Sequence, residues 1–252
     1  MFVTIKYKKI ARALVVPVLL AASILALHDG TAAAAYFGRM KKLPIYSVET
    51  EKKQIGITFD AAWGADKTGE IVEILRQNGV RATFFLVGFW IEKYADEVKM
   101  LADAGIEIGN HSENHLDMAK LSAERIENEL SSVNKRIEEL TGKPPELFRP
   151  PFGSYNDRVI TTAESLGLKT IQWDVDSLDW KDNKASSITD RVMKKVRNGS
   201  IILFHNNGDC VLGVISVLIP ALKRRGYEFV TVGELIYKDG YYIDGTGRQI
   251  KE

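Results

Sequence analysis

The stretch Ile55-Gly56-Ile57-Thr58-Phe59-Asp60 is an apolar, strand-like run that ends in a carboxylate, and a helical pattern follows it. The same unit of strand and helix recurs about seven times along the chain. Predicted strands cover residues 55–59, 82–87, 106–109, 147–148, 170–173, 201–204 and 229–232. Predicted helices cover residues 68–78, 90–104, 122–140, 156–166, 188–196 and 211–224, with a short helix after the last strand. Such alternation predicts parallel strands joined by crossover helices.

Two closures suit this pattern, a doubly wound sheet and an α/β barrel. Residues 60–64 lack the glycine-rich phosphate loop that a doubly wound sheet often has after its first strand. Candidate functional residues instead follow the ends of several strands, where barrel enzymes place their chemistry. These residues are Asp60, His111, His115, Arg149, Asp176, Asp179 and His205. The sequence therefore favours an α/β barrel with one active site at one rim.

Composition narrows the classes of partner. The 252 residues are 45% hydrophobic and 27% charged, which is typical of a globular protein with a substantial core. The net charge of +1 and the lack of a basic stripe argue against nucleic acid and favour a neutral or weakly charged substrate. Cys210 is the only cysteine, so an internal disulfide framework is excluded.

The first 35 residues are predicted to be an export signal or a membrane anchor. Basic residues between Lys6 and Arg12 precede an apolar run over residues 13–27, and small residues follow at 32–35. The run is shorter than the roughly 20 residues that span a bilayer. We therefore favour a cleaved signal over a retained anchor and expect an extracellular or cell-wall protein, with membrane contact only through an uncleaved segment. Residues 36–52 are predicted to be a connector, and residues 53–252 the folded domain.

His111 and His115 have the i, i+4 spacing of metal ligands, and neutral imidazoles bind zinc well. A zinc-protease motif is excluded because Ser112 stands where that motif needs its glutamate. The alternative is that both histidines are surface capping residues. Their position after a strand favours the metal site.

The other candidates suggest acid–base chemistry. Asp60 is placed to bind metal or accept a proton, or else to serve as a turn residue. Arg149, stiffened by Pro150 and Pro151, could orient a carboxylate. Asp176 and Asp179 add two carboxylates and Trp180 an aromatic face of the kind that stacks on sugar rings. His205 is a candidate general acid, although a lone histidine at a strand end is more often structural.

Five segments together resemble the ordered motifs of the polysaccharide deacetylases, the NodB-homology family also called carbohydrate esterase family 4. They are Thr58–Asp60, His111–His115, Arg149–Gly153, Asp176–Trp180 and Ile202–His205. The resemblance extends from Lys53 to Leu235, and the first motif is similar to those of sporulation-associated members. It implies a deformed (β/α)7–8 barrel with a divalent metal, most often zinc, with cobalt or nickel as alternatives. The implied reaction is hydrolysis of acetyl groups on glycans.

The resemblance also implies a role for each matching residue. Asp60 would be the general base, and Arg149 would orient it. His205 would be the general acid, tuned by Asp179, while His111 and His115 would hold the metal. Leu203 and Trp180 would line the acetyl pocket, and the backbone N–H of Tyr155, in the loop after Phe152, would donate to the oxyanion.

One position departs from the family pattern. The third metal ligand is usually a second aspartate directly after the base, and this chain has Ala61 there. Three alternatives follow: a water completes the site, Asp66 moves in, or the metal is lost. The leading hypothesis is an exported N-deacetylase of peptidoglycan or chitin-like N-acetylglucosamine polymers. The alternatives are a weak or inactive glycan-binding or sporulation protein and an O-acetyl esterase.

Overall fold

A computed structural model describes residues 41–181 and 184–252, and Lys42–Glu252 form one compact unit. The predicted export segment lies outside the described residues. The strands are β1 (Ser47–Val48), β2 (Gln54–Ala61), β3 (Thr83–Leu86), β4 (Glu107–Asn110), β5 (Leu147–Phe148), β6 (Lys169–Thr170), β7 (Val175–Asp176), β8 (Ile201–His205), β9 (Glu228–Phe229), β10 (Tyr241–Ile243) and β11 (Arg248–Lys251). The helices are α1 (Thr68–Gln77), α2 (Gly88–Lys93), α3 (Ala95–Asp103), α4 (Ala123–Thr141), α5 (Asp157–Ser165), α6 (Ala185–Lys195), α7 (Val211–Arg224) and α8 (Val232–Leu235). None of these described helices is long and apolar enough to cross a membrane.

The main sheet is parallel, in the order β6-β5-β4-β3-β2-β8-β7, and β9 pairs with the start of β2. The segment that contains β1 forms bridges beside β6, at one end of this order, and beside β8, the strand next to the other end. Ile45 bridges Ile171 beside β6, and Ser47 bridges Ser200 beside β8. These contacts curl the sheet into an incomplete barrel, which confirms the predicted fold class.

Alternation along the strands gives the sheet two apolar faces. Phe59, Phe84 and Phe204 pack together on the face toward the helices, with ring centroids 4.8 Å apart for Phe59 and Phe84 and 5.9 Å for Phe59 and Phe204. Phe85 belongs to a second cluster with Ile45, Leu147, Ile171 and Ile201. Because both faces of the sheet are covered, β2 is buried along nearly its whole length.

Helix α4 shows how local sequence fixes an element. Its Ser122 side chain accepts a hydrogen bond from the backbone N–H of Arg125, as expected of an N-cap. At the other end Gly142 has φ of 73°, a left-handed conformation that glycine adopts without strain. The apolar stripe of α4, formed by Ile126, Leu130, Val133 and Ile137, is buried against the sheet and α5.

The structure corrects three sequence-based boundaries and adds strands that the sequence analysis missed. The folded unit begins before Lys53, because the predicted connector contributes β1 and the buried Ile45. The predicted helix over residues 90–104 is two helices, separated at Tyr94, where φ and ψ are −127° and 47°. The predicted strand over residues 170–173 ends at Thr170, and the two-residue strand β7 was missed. The hairpin of β10 and β11, which pairs with β1, was also missed.

Candidate active site

The candidate residues meet at the carboxyl ends of the parallel strands. Asp60 is the second-last residue of β2 and is paired directly with His205 at the end of β8. His111 follows β4, Arg149 follows β5, and Asp179 lies three residues after β7. Directly paired residues on parallel strands face the same side of the sheet, so these side chains share one rim.

Asp60 is bound tightly by Arg149. The fully buried guanidinium donates from Nη1 to Asp60 Oδ1 at 2.7 Å and to Thr58 Oγ1 at 2.8 Å. Nη2 donates to the carbonyl of Gln172 at 3.1 Å, and the Phe85 ring centroid lies 4.1 Å from the guanidinium carbon. Burial opposes ionisation of Asp60, but the charge and hydrogen bond of Arg149, together with the neighbouring His111 and His205, outweigh it and hold the pKa of that carboxyl below its usual value. Asp60 is therefore an oriented carboxylate at neutral pH.

His205 forms the second charged pair with Asp179. Its Nδ1 lies 2.8 Å from Asp179 Oδ1, and its backbone N–H donates to Oδ2 at 2.8 Å. Ser177 Oγ donates to the same carboxylate at 2.9 Å. Burial alone would lower the pKa of His205, but the hydrogen bond and charge of Asp179 raise it above its ordinary value. The pair favours a protonated imidazole beside Asp60.

The two histidines of the second motif are neutral. His111 Nδ1 lies 2.7 Å from the carbonyl of Arg149, so we assign its proton to Nδ1. Nε2 then presents a lone pair 3.5 Å from Asp60 Oδ2. Burial lowers the pKa of His111, and burial with the neighbouring His111 lowers the pKa of His115 to about 4. A hydrogen bond from the far ring nitrogen to a carbonyl is the usual support for a metal-binding histidine.

The chain fits a divalent metal only in part. His111 has the free lone pair of a ligand, and its ring centroid lies 5.0 Å from that of His115. Ala61 offers only a methyl group, which is buried in the main hydrophobic cluster. Across the described residues, no group of three or more His, Cys, Asp and Glu side chains could hold a metal ion. The predicted substitute Asp66 lies exposed in the turn before α1 and joins no such group.

The predicted substrate-binding residues surround this centre. Leu203 is buried on β8, two residues before His205 and on the same face. Trp180 directly follows Asp179 and is exposed, while Phe152 is exposed with its ring centroid 4.6 Å from that of His115. The backbone N–H of Tyr155 donates no hydrogen bond within the described part of the chain, which leaves it free to bind an oxyanion.

Backbone strain is concentrated around the site. In the described residues four non-glycine residues have positive φ, and all lie in the loops after β4, β5 and β7. They are Ser112, His115, Phe152 and Leu178. Such conformations cost about 1–3 kcal/mol each and persist where surrounding contacts impose them. Asp176 supplies one contact, since its carboxylate accepts from the N–H of Leu178 at 2.8 Å, so its role is that of a turn residue.

Helix α4 holds the histidine loop, and the sequence analysis missed this function. Buried Glu129 accepts from the backbone N–H and side-chain amide of Asn114, each at 2.8 Å. Arg136 donates to the Glu113 carboxylate at 3.1 Å and to the carbonyl of Gly88 at 2.9 Å. One signal was available, because Glu129 falls on the apolar stripe of α4, where an acidic residue needs a partner.

Comparison with known proteins identifies the family of this chain. The family model for polysaccharide deacetylase matches residues 47–171. A peptidoglycan-N-acetylglucosamine deacetylase of Bacillus cereus is 37% identical over 76% of this chain and 92% of its own length. The uncharacterized protein YlxY of Bacillus subtilis is 38% identical over 77% of this chain, which spans 60% of YlxY.

Among solved structures, BA3943 of Bacillus anthracis is similar with a TM-score of 0.74 and 38% identity, covering 76% of this chain and 68% of that one. BA3943 is described as a pseudoenzyme of carbohydrate esterase family 4, and a mutant of it is described as having restored enzymatic activity. Both active and inactive proteins therefore share this fold at comparable identity.

Proposed function

Because the chain belongs to the polysaccharide deacetylase family, a family of hydrolases that act on C–N bonds, we propose that it removes N-acetyl groups from cell-wall glycan. Peptidoglycan is the favoured substrate, and chitin-like N-acetylglucosamine oligomers are suitable probes. The observation that carries this proposal is the pair of charged couples, Asp60 with Arg149 and His205 with Asp179, on directly paired strands. Binding alone does not need an oriented base beside a protonated acid.

The reaction follows from these two couples. Asp60 accepts a proton from water as the water oxygen bonds to the acetyl carbonyl carbon, and Arg149 keeps the carboxylate in place. The Tyr155 N–H binds the oxyanion of the tetrahedral intermediate. His205 then gives its proton to the amide nitrogen as the C–N bond breaks, so the products are acetate and a free amino sugar. Asp179 holds the imidazole in the orientation and charge state that this step needs.

His111 and His115 would hold a divalent ion, with zinc favoured over cobalt or nickel. Such an ion would act as a Lewis acid toward the acetyl carbonyl. With Ala61 in place of a third ligand, two imidazoles remain, and a water is our preferred third donor. We therefore propose weak metal binding and a reaction that depends on added metal.

A second candidate function has its own support. Ala61 removes a ligand, and the similar BA3943 is described as a pseudoenzyme, so a glycan-binding protein with little or no turnover is the alternative. An O-acetyl esterase would use the same residues on an easier leaving group. Export through residues 1–35, location at the cell wall and a role in sporulation stay predictions from the sequence and its resemblance.

The deciding experiment measures acetate release from peptidoglycan and N-acetylglucosamine oligomers, with and without added zinc, while metal content is determined in parallel. Asp60→Asn is the control. Release that requires zinc and Asp60 supports a deacetylase. Glycan binding without release, in the presence of saturating zinc, supports the binding function and contradicts our first proposal.

A further inference from the structure

Large apolar side chains are exposed mainly at the active-site rim. Within the described chain six are exposed, and four of them follow the carboxyl ends of strands in the main sheet. These four are Trp63, Phe89, Phe152 and Trp180. Exposed aromatic residues concentrated on one face of a monomer commonly mark a binding surface. Val217 on α7 and Tyr242 on β10 are the other two, away from this rim.

Four rings form a continuous row along one side of the rim. Adjacent ring centroids are 6.4 Å apart from Phe89 to Trp63, 5.0 Å from Trp63 to His115, and 4.6 Å from His115 to Phe152. The loops that carry them follow β3, β2, β4 and β5, which are neighbours in the sheet. Trp63 in this row comes three residues after Asp60, whereas Trp180 follows β7, the strand at one end of the sheet.

The loop of Trp63 is held rigidly although its indole is 57% exposed. The carbonyl of the next residue, Gly64, accepts from Trp90 Nε1 at 2.7 Å and from Asn206 Nδ2 at 2.8 Å. Both donor side chains are buried. An exposed aromatic ring does not stabilise the free protein. Because its loop is already rigid, little conformational entropy is lost when a ligand covers the ring.

We propose that Trp63, with Phe89 beside it, forms a stacking subsite for a sugar ring of the same glycan chain, next to the residue that reacts at Asp60. The occupant is a neutral pyranose of an N-acetylglucosamine-containing polymer. Its apolar C–H face suits an aromatic ring, and the Trp63 and Phe89 side chains carry no charge. The inference rests on the proposed glycan substrate and makes the protein selective for oligomers over short sugars.

The test is calorimetric titration of the full chain with the N-acetylglucosamine tetramer and dimer, with zinc present. Trp63→Ala should weaken tetramer binding at least about fivefold, since one aromatic contact and its buried area are lost. Trp63→Phe should stay within about twofold of the wild type, and Phe89→Ala should fall between them. Dimer binding should change less than tetramer binding. Tyr242→Ala, which removes an equally exposed ring away from the rim, should change neither affinity.

Unchanged tetramer affinity in Trp63→Ala would overturn the subsite, as would an equal loss in Tyr242→Ala or no tetramer binding by the wild type. Because Trp63 is exposed, the variant should keep the wild-type Tm, and a lower tetramer affinity at unchanged Tm supports the proposal. Acetate release is followed separately. Binding that depends on Trp63 without release contradicts the deacetylase alone, whereas release with binding insensitive to Trp63 contradicts the subsite alone.

Discussion

The two halves of the active site differ in how completely they are built. In the acid–base half, Asp60 and His205 each have a charged partner at hydrogen-bond distance. In the metal half, His111 and His115 are neutral and lie close together, but Ala61 supplies no third side-chain ligand. The difference suggests that the residues needed for proton transfer are all present, whereas the described residues provide only two of the three side chains needed to bind the ion.

The largest effect is expected from breaking the acid–base half at Arg149. Arg149→Met leaves Asp60 as an unpaired buried charge, so the free energy of unfolding at pH 7 should fall by about 3–5 kcal/mol. Denaturant titration measures it. The folded pKa of Asp60 lies below its unfolded value, so the stability from this pair exists above the ordinary carboxyl pKa and is lost as pH falls. The deficit of the variant should therefore narrow below about pH 4.

The double variant Asp60→Asn with Arg149→Met is the matched control. It removes both charges, so it should be more stable than Arg149→Met alone. If it is less stable, the uncompensated carboxylate is not the cause of the loss, and the pair is held together by packing instead.

The next largest effect should come from completing the metal half. Ala61→Asp restores the carboxylate that the family usually has as its third ligand, so zinc affinity should rise on the order of 100-fold or more, because even outer-shell partners change it 10–100-fold. Acetate release should rise with it. Without zinc the new buried carboxylate should lower Tm, and zinc should restore it. Zinc titration against a chelating dye and thermal unfolding provide the two readouts.

Ala62→Asp is the control for this gain, since Ala62 is the neighbouring buried alanine of the same cluster. It should lose stability without gaining zinc affinity. Equal zinc binding by the two variants would mean that position 61 does not face the histidines.

The role of His205 separates amide from ester chemistry. His205→Ala should reduce hydrolysis of an N-acetyl amide about 100-fold, within the usual range for a general acid. Loss on an activated aryl acetate should be much smaller, because that leaving group needs little protonation. Both rates are measured on the same zinc-loaded preparation. Equal losses on the two substrates would contradict the assignment of His205 as the acid.

Much of this arrangement was predictable because it depends on local pattern. The helical and strand periods predicted the parallel fold, and Asp60, His111, Arg149 and His205 each lie at or directly after the end of a strand that the sequence predicted. What escaped prediction depends on distant partners. The strand β7 has two residues and no period, and Ile45 is buried by residues far along the chain, among them Ile171, which it bridges. The positive φ of His115 and Phe152 could not be predicted from the sequence either, since non-glycine residues normally avoid this conformation.

The smallest expected effect concerns the pKa of His205. Asp179→Asn keeps a hydrogen-bond acceptor but removes the charge, so the pKa of His205 should fall. The folded pKa of His205 is raised, so its protonation stabilises the fold below its ordinary pKa, and this is lost as pH rises through the folded value. In Asp179→Asn this stabilisation by the protonated imidazole should disappear. An NMR titration of the ring protons measures the shift whether or not the protein turns over substrate.

Asp176→Asn is the control, because Asp176 affects His205 only through a weaker, longer-range charge and should shift its pKa less. Equal shifts in the two variants would show that the field of the whole rim, and not the Asp179 hydrogen bond, keeps this histidine protonated.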